Sequence, residues 1–221
     1  MPENKPKVGR PRANQTKPAG EVRDEILAAA RTLFKQYGFR GTSTRQIADA
    51  AGLRQPSLFH YFKNKSEILN AVALGAVQPV LDFIEVEKTQ NDPAAVAFYR
   101  LVWLDTYHLC TNENALGYPY QFPELTRTDF SEFWQQRDQI INYYSQCLER
   151  GRDEGHFKFE ELSSTTQLLF SLGESTLTWY KPHSGLDAET VATNTAYLAL
   201  RSIINDTSRL EDVIAEAAIR P

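Results

Sequence analysis

Apolar residues recur at helical spacing from Ile26 onward: Ile26, Leu27, Ala30, Leu33, Phe34 and Tyr37 form one stripe, and Gly38 ends it. Ser43 and Gln46 stand three apart, the spacing of a capping box. They precede a short second helix with Ile47, Ala48 and Ala51 on its buried face and Gly52 at its end. A third helix is predicted to begin near Gln55 and Pro56, because proline is tolerated in a first turn, with Leu58, Phe59 and Phe62 as its apolar edge. Two short helices joined by a tight glycine-containing turn make a helix-turn-helix, whose second helix offers its outer face to a DNA major groove. With Leu58 and Phe62 inward, Gln55, Ser57, His60 and Tyr61 fall on or near the outer side and Arg54 leads in. Such side chains read base edges or hold phosphates.

The pattern then lengthens. Asn64 and Glu67 again have capping-box spacing, which places Lys65 in the first turn of a fourth helix. A cation there opposes the helix macrodipole at a cost of about 0.3–1 kcal/mol, and a phosphate bound at that N-terminus would reconcile the two. Apolar spacing continues through Val72, Ala73 and Val77 towards Ile84, so this helix is expected to run into the rest of the chain. Further helices are predicted around 94–111, 130–151, 160–180 and 188–205, with "NDPA", "TNENALGYPYQFPELT", "GRDEGH" and "KPHSGLD" as the breaks. Strand alternation and internal repeats are absent, so the fold class is all-α. A basic arm over 1–20, expected to be disordered, precedes a three-helix head over 21–69 and a larger helical body over 70–221.

Charge sharpens that division. Residues 1–66 carry thirteen Lys and Arg against five Asp and Glu, a net +8, while residues 67–221 carry eleven against twenty-three, a net −12. A basic head on an acidic body suits a polyanion-binding module fused to one that does not bind. Within the arm, Gly9 to Arg12 reads "GRPR" and resembles the core of an AT-hook, which makes Arg10 and Arg12 candidate minor-groove contacts. No signal peptide or membrane-spanning run is evident, so a soluble cytoplasmic protein without a membrane partner is expected. Cys110 and Cys147 are too few and too far apart for a disulfide framework or a structural zinc site.

The stretch from Ile26 to Leu69, including Phe34, Tyr37-Gly38, Thr42, Ile47-Ala48, Ala51-Gly52, Leu58, Tyr61-Phe62 and Lys65, resembles the DNA-binding domain of TetR-family transcriptional regulators. The resemblance implies an all-helical homodimer that binds a double-stranded operator and represses nearby genes. A small molecule held in the body then releases it. By residue, it implies Thr44, Tyr61 and Lys65 as phosphate contacts and Arg45, Gln55, Ser57 and His60 as candidate base contacts. Arg54 stands where relatives often carry Ser, and Pro56 offers no N–H to DNA, so base preference does not transfer from a relative. The last two helices, carrying Leu168, Leu169, Leu172, Thr176 and Trp179 on one and Ala192, Thr195, Ala196, Ala199 and Ile203 on the other, are expected to pair with a symmetry mate.

The body is rich in aromatic residues, and Trp103, Tyr107, Phe122, Trp134, Tyr144, Phe170 and Trp179 are its candidate lining for an aromatic or amphipathic effector. A regulator without any small ligand, controlled by a protein partner or serving as a dimeric scaffold, is the alternative. No nucleophile elbow, phosphate loop, dinucleotide fingerprint or zinc-protease helix is present, so neither an enzyme nor a cofactor is expected. His108, Cys110 and Glu113 do not share one helical face, which argues against a metal site.

Overall fold

A computed structural model describes residues 18–111, 130–182 and 185–217; Arg10, Arg12, Phe122 and Glu113 lie outside them. Nine α-helices and no strand occur among the described residues. Helix α1 (Ala19–Gly41) buries Val22, Ile26, Leu27, Ala30 and Phe34, then breaks at Gly38, whose φ of +71° is open to glycine without strain. Tyr37, expected in the stripe, stays half exposed in the last regular turn. Helix α2 (Thr44–Ala50) opens with the full capping box: the Ser43 hydroxyl accepts from Gln46 N–H, and the Gln46 side chain accepts from Ser43 N–H at 2.8 Å.

Helix α3 is a single turn, Gln55–Leu58, tightened at its end by His60 N–H to Ser57 O and Tyr61 N–H to Leu58 O. Leu58 and Phe62 are buried, but Phe59 is 45% exposed, which corrects its place on the apolar edge. Leu58 and Phe62, four apart, share a helical face, whereas Phe59 is turned about 100° from Leu58.

Helix α4 (Lys65–Glu87) carries the head into the body. Ile68, Leu69, Val72 and Ala73 belong to the head core, Val80 and Ile84 belong to the body core, and Val77 touches both. Pro79 stands at that crossover and has no N–H to return to Gly75, so the helical ladder loses a bond where one core gives way to the other.

The body is built around α5 (Ala94–Thr111), whose residues from Ala94 to Tyr99 are buried on every side, as a central helix requires. Around it lie α6 (Ser131–Asp153), α7 (Leu162–Trp179), α8 (Ala188–Ile203) and α9 (Leu210–Ala217). Side-chain caps set two of these starts: Glu161 accepts from Ser163 and Ser164 N–H, and Asp187 accepts from Thr190 N–H. Helix α9 was not anticipated from the periodicity; its eight residues bury Leu210, Val213 and Ala217 against the body core. At the end distant from the head, the Phe157 ring rests on Gly151, where a Cβ would come within 2.1 Å of it.

Candidate nucleic-acid interface and effector-sensing core

The head sets its polar residues around an apolar core, with the Thr42 hydroxyl buried against α1. Arg54 is exposed at the N-cap of α3, His60 is exposed beyond its end, and Gln55, Ser57 and Tyr61 are half-buried beside them. Gln55 donates from Nε2 to the Thr44 hydroxyl at 3.0 Å, which ties the first residue of α3 to the first residue of α2. Arg45, one residue on, is well exposed and lies only 3.9 Å from Asp49, a loose pair that leaves its guanidinium available. Of these residues, Thr44 and Gln55 are brought into direct contact from two helices.

Lys65 sits differently from its neighbours. Its Nζ donates to Phe39 O and Thr42 O, each at 2.6 Å, and lies 4.2 Å from the centre of the Phe39 ring. The expected conflict with the α4 dipole is thereby met within the protein. Burial lowers its pKa from the ordinary lysine value. At the same helix start, Asn64 accepts from Glu67 N–H, while Glu67 accepts from Lys63 N–H, so the predicted capping box is made on one side only.

In the body, the structure sorts the aromatic candidates into separate places. Tyr144 and Phe170 meet edge to face at 5.4 Å, and the Arg137 guanidinium lies 4.8 Å over Phe170 and 5.5 Å over Trp134. Trp103 turns to the opposite side of α5, donating to Thr193 of α8 at 3.0 Å and stacking on Tyr107 at 4.9 Å. Trp179 is 49% exposed in the single chain, at the end of α7, where it borders Tyr180; it does not line the interior as expected.

Three charged residues that periodicity did not single out organise the first group. Arg137 pairs with Glu174 through two hydrogen bonds of 2.9 and 2.7 Å, with both side chains about 15% exposed. Asp105, fully buried, accepts a hydrogen bond from the Tyr144 hydroxyl at 2.9 Å. Burial pushes the Asp105 carboxyl up to about 7; the Tyr144 bond pulls it down in part, Glu174 pushes it up and Arg137 pulls it down. Burial and the facing carboxylate raise Tyr144 as well. The sequence held one signal for this cluster, a lone acid in the apolar run of α5, but none for a pair 37 residues apart.

The first turns of α6 also reach the head: Phe130 and Phe133 are buried in the head core, and Trp134 packs against it. The cluster around Arg137 is therefore one turn of helix from residues buried in the head core.

Cys110 and Cys147 are buried free thiols, pushed up to about 11 and about 12 by burial, and so are poor nucleophiles. No group of three metal-ligating side chains occurs among the described residues.

A helix-turn-helix head on an all-helical body defines a DNA-binding transcriptional regulator. The family model "Bacterial regulatory proteins, tetR family" matches residues 26–72, and "Tetracyclin repressor-like, C-terminal domain" matches residues 104–203. The chain belongs to the TetR family, and it is a regulator and not an enzyme. It is 26% identical to the HTH-type transcriptional repressor KstR2 of Rhodococcus jostii over 203 residues, covering 82% of this chain and 91% of the relative. It superposes on AmtR of Mycobacterium smegmatis with a TM-score of 0.72 and 30% identity, covering 95% of this chain and 99% of the other. It shares the fold of AibR, solved in complex with isovaleryl coenzyme A and operator DNA, at a TM-score of 0.66 and 16% identity, covering 80% and 97% of the two chains. Regulators of this family bind operator DNA, dimerise and bind small-molecule effectors.

Proposed function

We propose that this chain is a cytoplasmic, homodimeric repressor that leaves its operator when a small aromatic or amphipathic molecule binds the body. One observation carries the reading: Arg45, Arg54 and His60 are exposed and Gln55 and Ser57 half-buried on and beside two short helices whose Ile47, Ala48 and Leu58 are buried in the head core. Arg45, Arg54, Gln55, Ser57 and His60 read bases, Thr44 and Tyr61 hold phosphates, and Arg10 and Arg12 follow the minor groove beside the site. Dimerisation through α7 and α8 is supported by Leu168, Leu172 and Leu198, which are exposed on these helices in the single chain. It would set two reading helices about 34–36 Å apart, or a multiple of that.

We place the effector near Tyr144, Phe170 and Trp134, where the Arg137 guanidinium lies over the Trp134 and Phe170 rings and Asp105 accepts from the Tyr144 hydroxyl. The coenzyme A thioester bound by AibR supports the idea that this fold accommodates an amphipathic molecule.

The test is binding of the purified chain to DNA flanking its own gene and to a shuffled fragment, at about 150 mM salt, where the non-specific term is weak. Preference for the native fragment supports an autoregulatory operator and supplies a release assay for effectors. Gln55→Ala should then relax sequence preference more than it weakens binding to random DNA. Equal losses on both would overturn its assignment to base reading.

A further inference from the structure

Arg137 carries its charge into an aromatic corner of the body. Its guanidinium lies 4.8 Å from the centre of the Phe170 ring and 5.5 Å from that of Trp134, and it bonds both oxygens of Glu174 at 2.9 and 2.7 Å. The Arg137 and Glu174 side chains are only 14% and 15% exposed, so the guanidinium has exchanged most of its water for two ring faces and a carboxylate. Flat, weakly hydrated cations suit such a setting, because ring faces are negative and two parallel N–H bonds match a carboxylate.

The surrounding charges favour a cation over an anion at this corner. Asp105 on α5 accepts from the Tyr144 hydroxyl at 2.9 Å, and Tyr144 meets Phe170 edge to face. The charged groups that act on Asp105 are Glu174 and Arg137, so among the described residues two carboxyls share one guanidinium. An anion entering here meets both carboxyls and the negative ring faces. A cation is attracted by all of them, and its approach favours the ionised form of Asp105.

We infer that the corner formed by Trp134, Phe170 and Glu174 receives the cationic group of a flat, aromatic effector, which takes the seat of the Arg137 guanidinium. The occupant needs no separate void, because the guanidinium that it displaces vacates the space and moves out to solvent. Trp134, one face of the seat, packs against the head core, and Phe133 beside it is buried there. An aromatic cation is wider than a guanidinium, so its entry presses on a residue that supports the head.

This inference names the chemistry of the proposed effector and rests on release of the operator by a small molecule. Its test uses three probes of one shape and different charge: benzamidinium, benzamide and benzoate. Binding to the full chain is measured by calorimetry and thermal shift, and release is measured on a duplex that the full chain selects from a random pool. Benzamidinium should bind the parent at least about tenfold more tightly than either other probe, as expected for a charge-assisted pair, and should lower affinity for the duplex. That comparison needs no variant. Arg137→Ala, studied at temperatures where it is folded, empties the seat and should bind benzamidinium about tenfold more tightly than the parent does. Adding Glu174→Gln should cancel that gain.

No binding of benzamidinium at millimolar concentration, equal binding of the three probes, or a gain that survives Glu174→Gln would overturn the inference. Release of the duplex by benzoate or benzamide and not by benzamidinium would overturn the cationic class alone and leave a small-molecule effector standing. Charge-selective binding that leaves duplex affinity unchanged would overturn release through this site, and the inference with it.

Discussion

Replacing Asp105 by Asn tests whether the body holds a proton that the unfolded chain gives up. In the folded chain burial moves this carboxyl from its ordinary 3.8 up to about 7, so between those values the folded state keeps a proton that the unfolded state has lost. A raised folded pKa contributes stability that is full below about 3.8 and is lost as pH rises through about 7. At 1.36 kcal/mol per pH unit, the whole span corresponds to about 4 kcal/mol. Asp105→Asn keeps an acceptor for the Tyr144 hydroxyl, 2.9 Å away, and removes the titration. Its amide N–H groups need partners that a carboxylate does not, which offsets about 1–3 kcal/mol of the gain. The variant should therefore be about 1–3 kcal/mol more stable than the parent at pH 8, with no advantage at pH 4. Urea unfolding across pH 4–8 reads this directly. Parallel stability profiles for parent and variant would refute the reasoning, because they would show that Asp105 titrates alike in folded and unfolded chains.

Other expectations follow from single contacts. Gly151→Ala drives a methyl into the Phe157 ring and should cost about 1–3 kcal/mol, seen as a lower Tm at unchanged DNA preference. Arg137→Met leaves Glu174 mostly buried without its two-bond partner and should cost about 3–5 kcal/mol in urea unfolding. Adding Glu174→Met should recover much of that loss, and a double variant no more stable than the single one would count against the pair as the cause. Placing acids on the exposed α7–α8 face, with Leu168→Asp and Leu198→Asp together, should convert a dimer to monomers in sedimentation and reduce operator affinity by more than tenfold. A dimer that survives both changes would place the interface elsewhere.

Features governed by residues within four positions of each other were legible in the chain. The Ser43–Gln46 box, the buried face of Ile47 and Ala48, the run of α4 through Val77 towards Ile84 and the spans of α5 to α8 all follow from periodicity and capping, which are local. The outward placement of His60 was legible for the same reason: once Leu58 and Phe62 turn inward, helical geometry dictates where it goes. Phe59 was misjudged because one turn of helix has room for a single inward stripe, and composition alone does not show how short α3 is.

Helix crossing decided the rest. Lys65 meets Phe39 across 26 residues, Arg137 meets Glu174 across 37, and Tyr144 meets Asp105 across 39. No local pattern encodes such meetings, because each depends on the angle and depth at which two helices pack. Only the assembled body makes Asp105 a buried acid facing the Tyr144 phenol, and only the assembled head brings Lys65 of α4 to the carbonyls of Phe39 and Thr42 in the turn between Gly38 and α2.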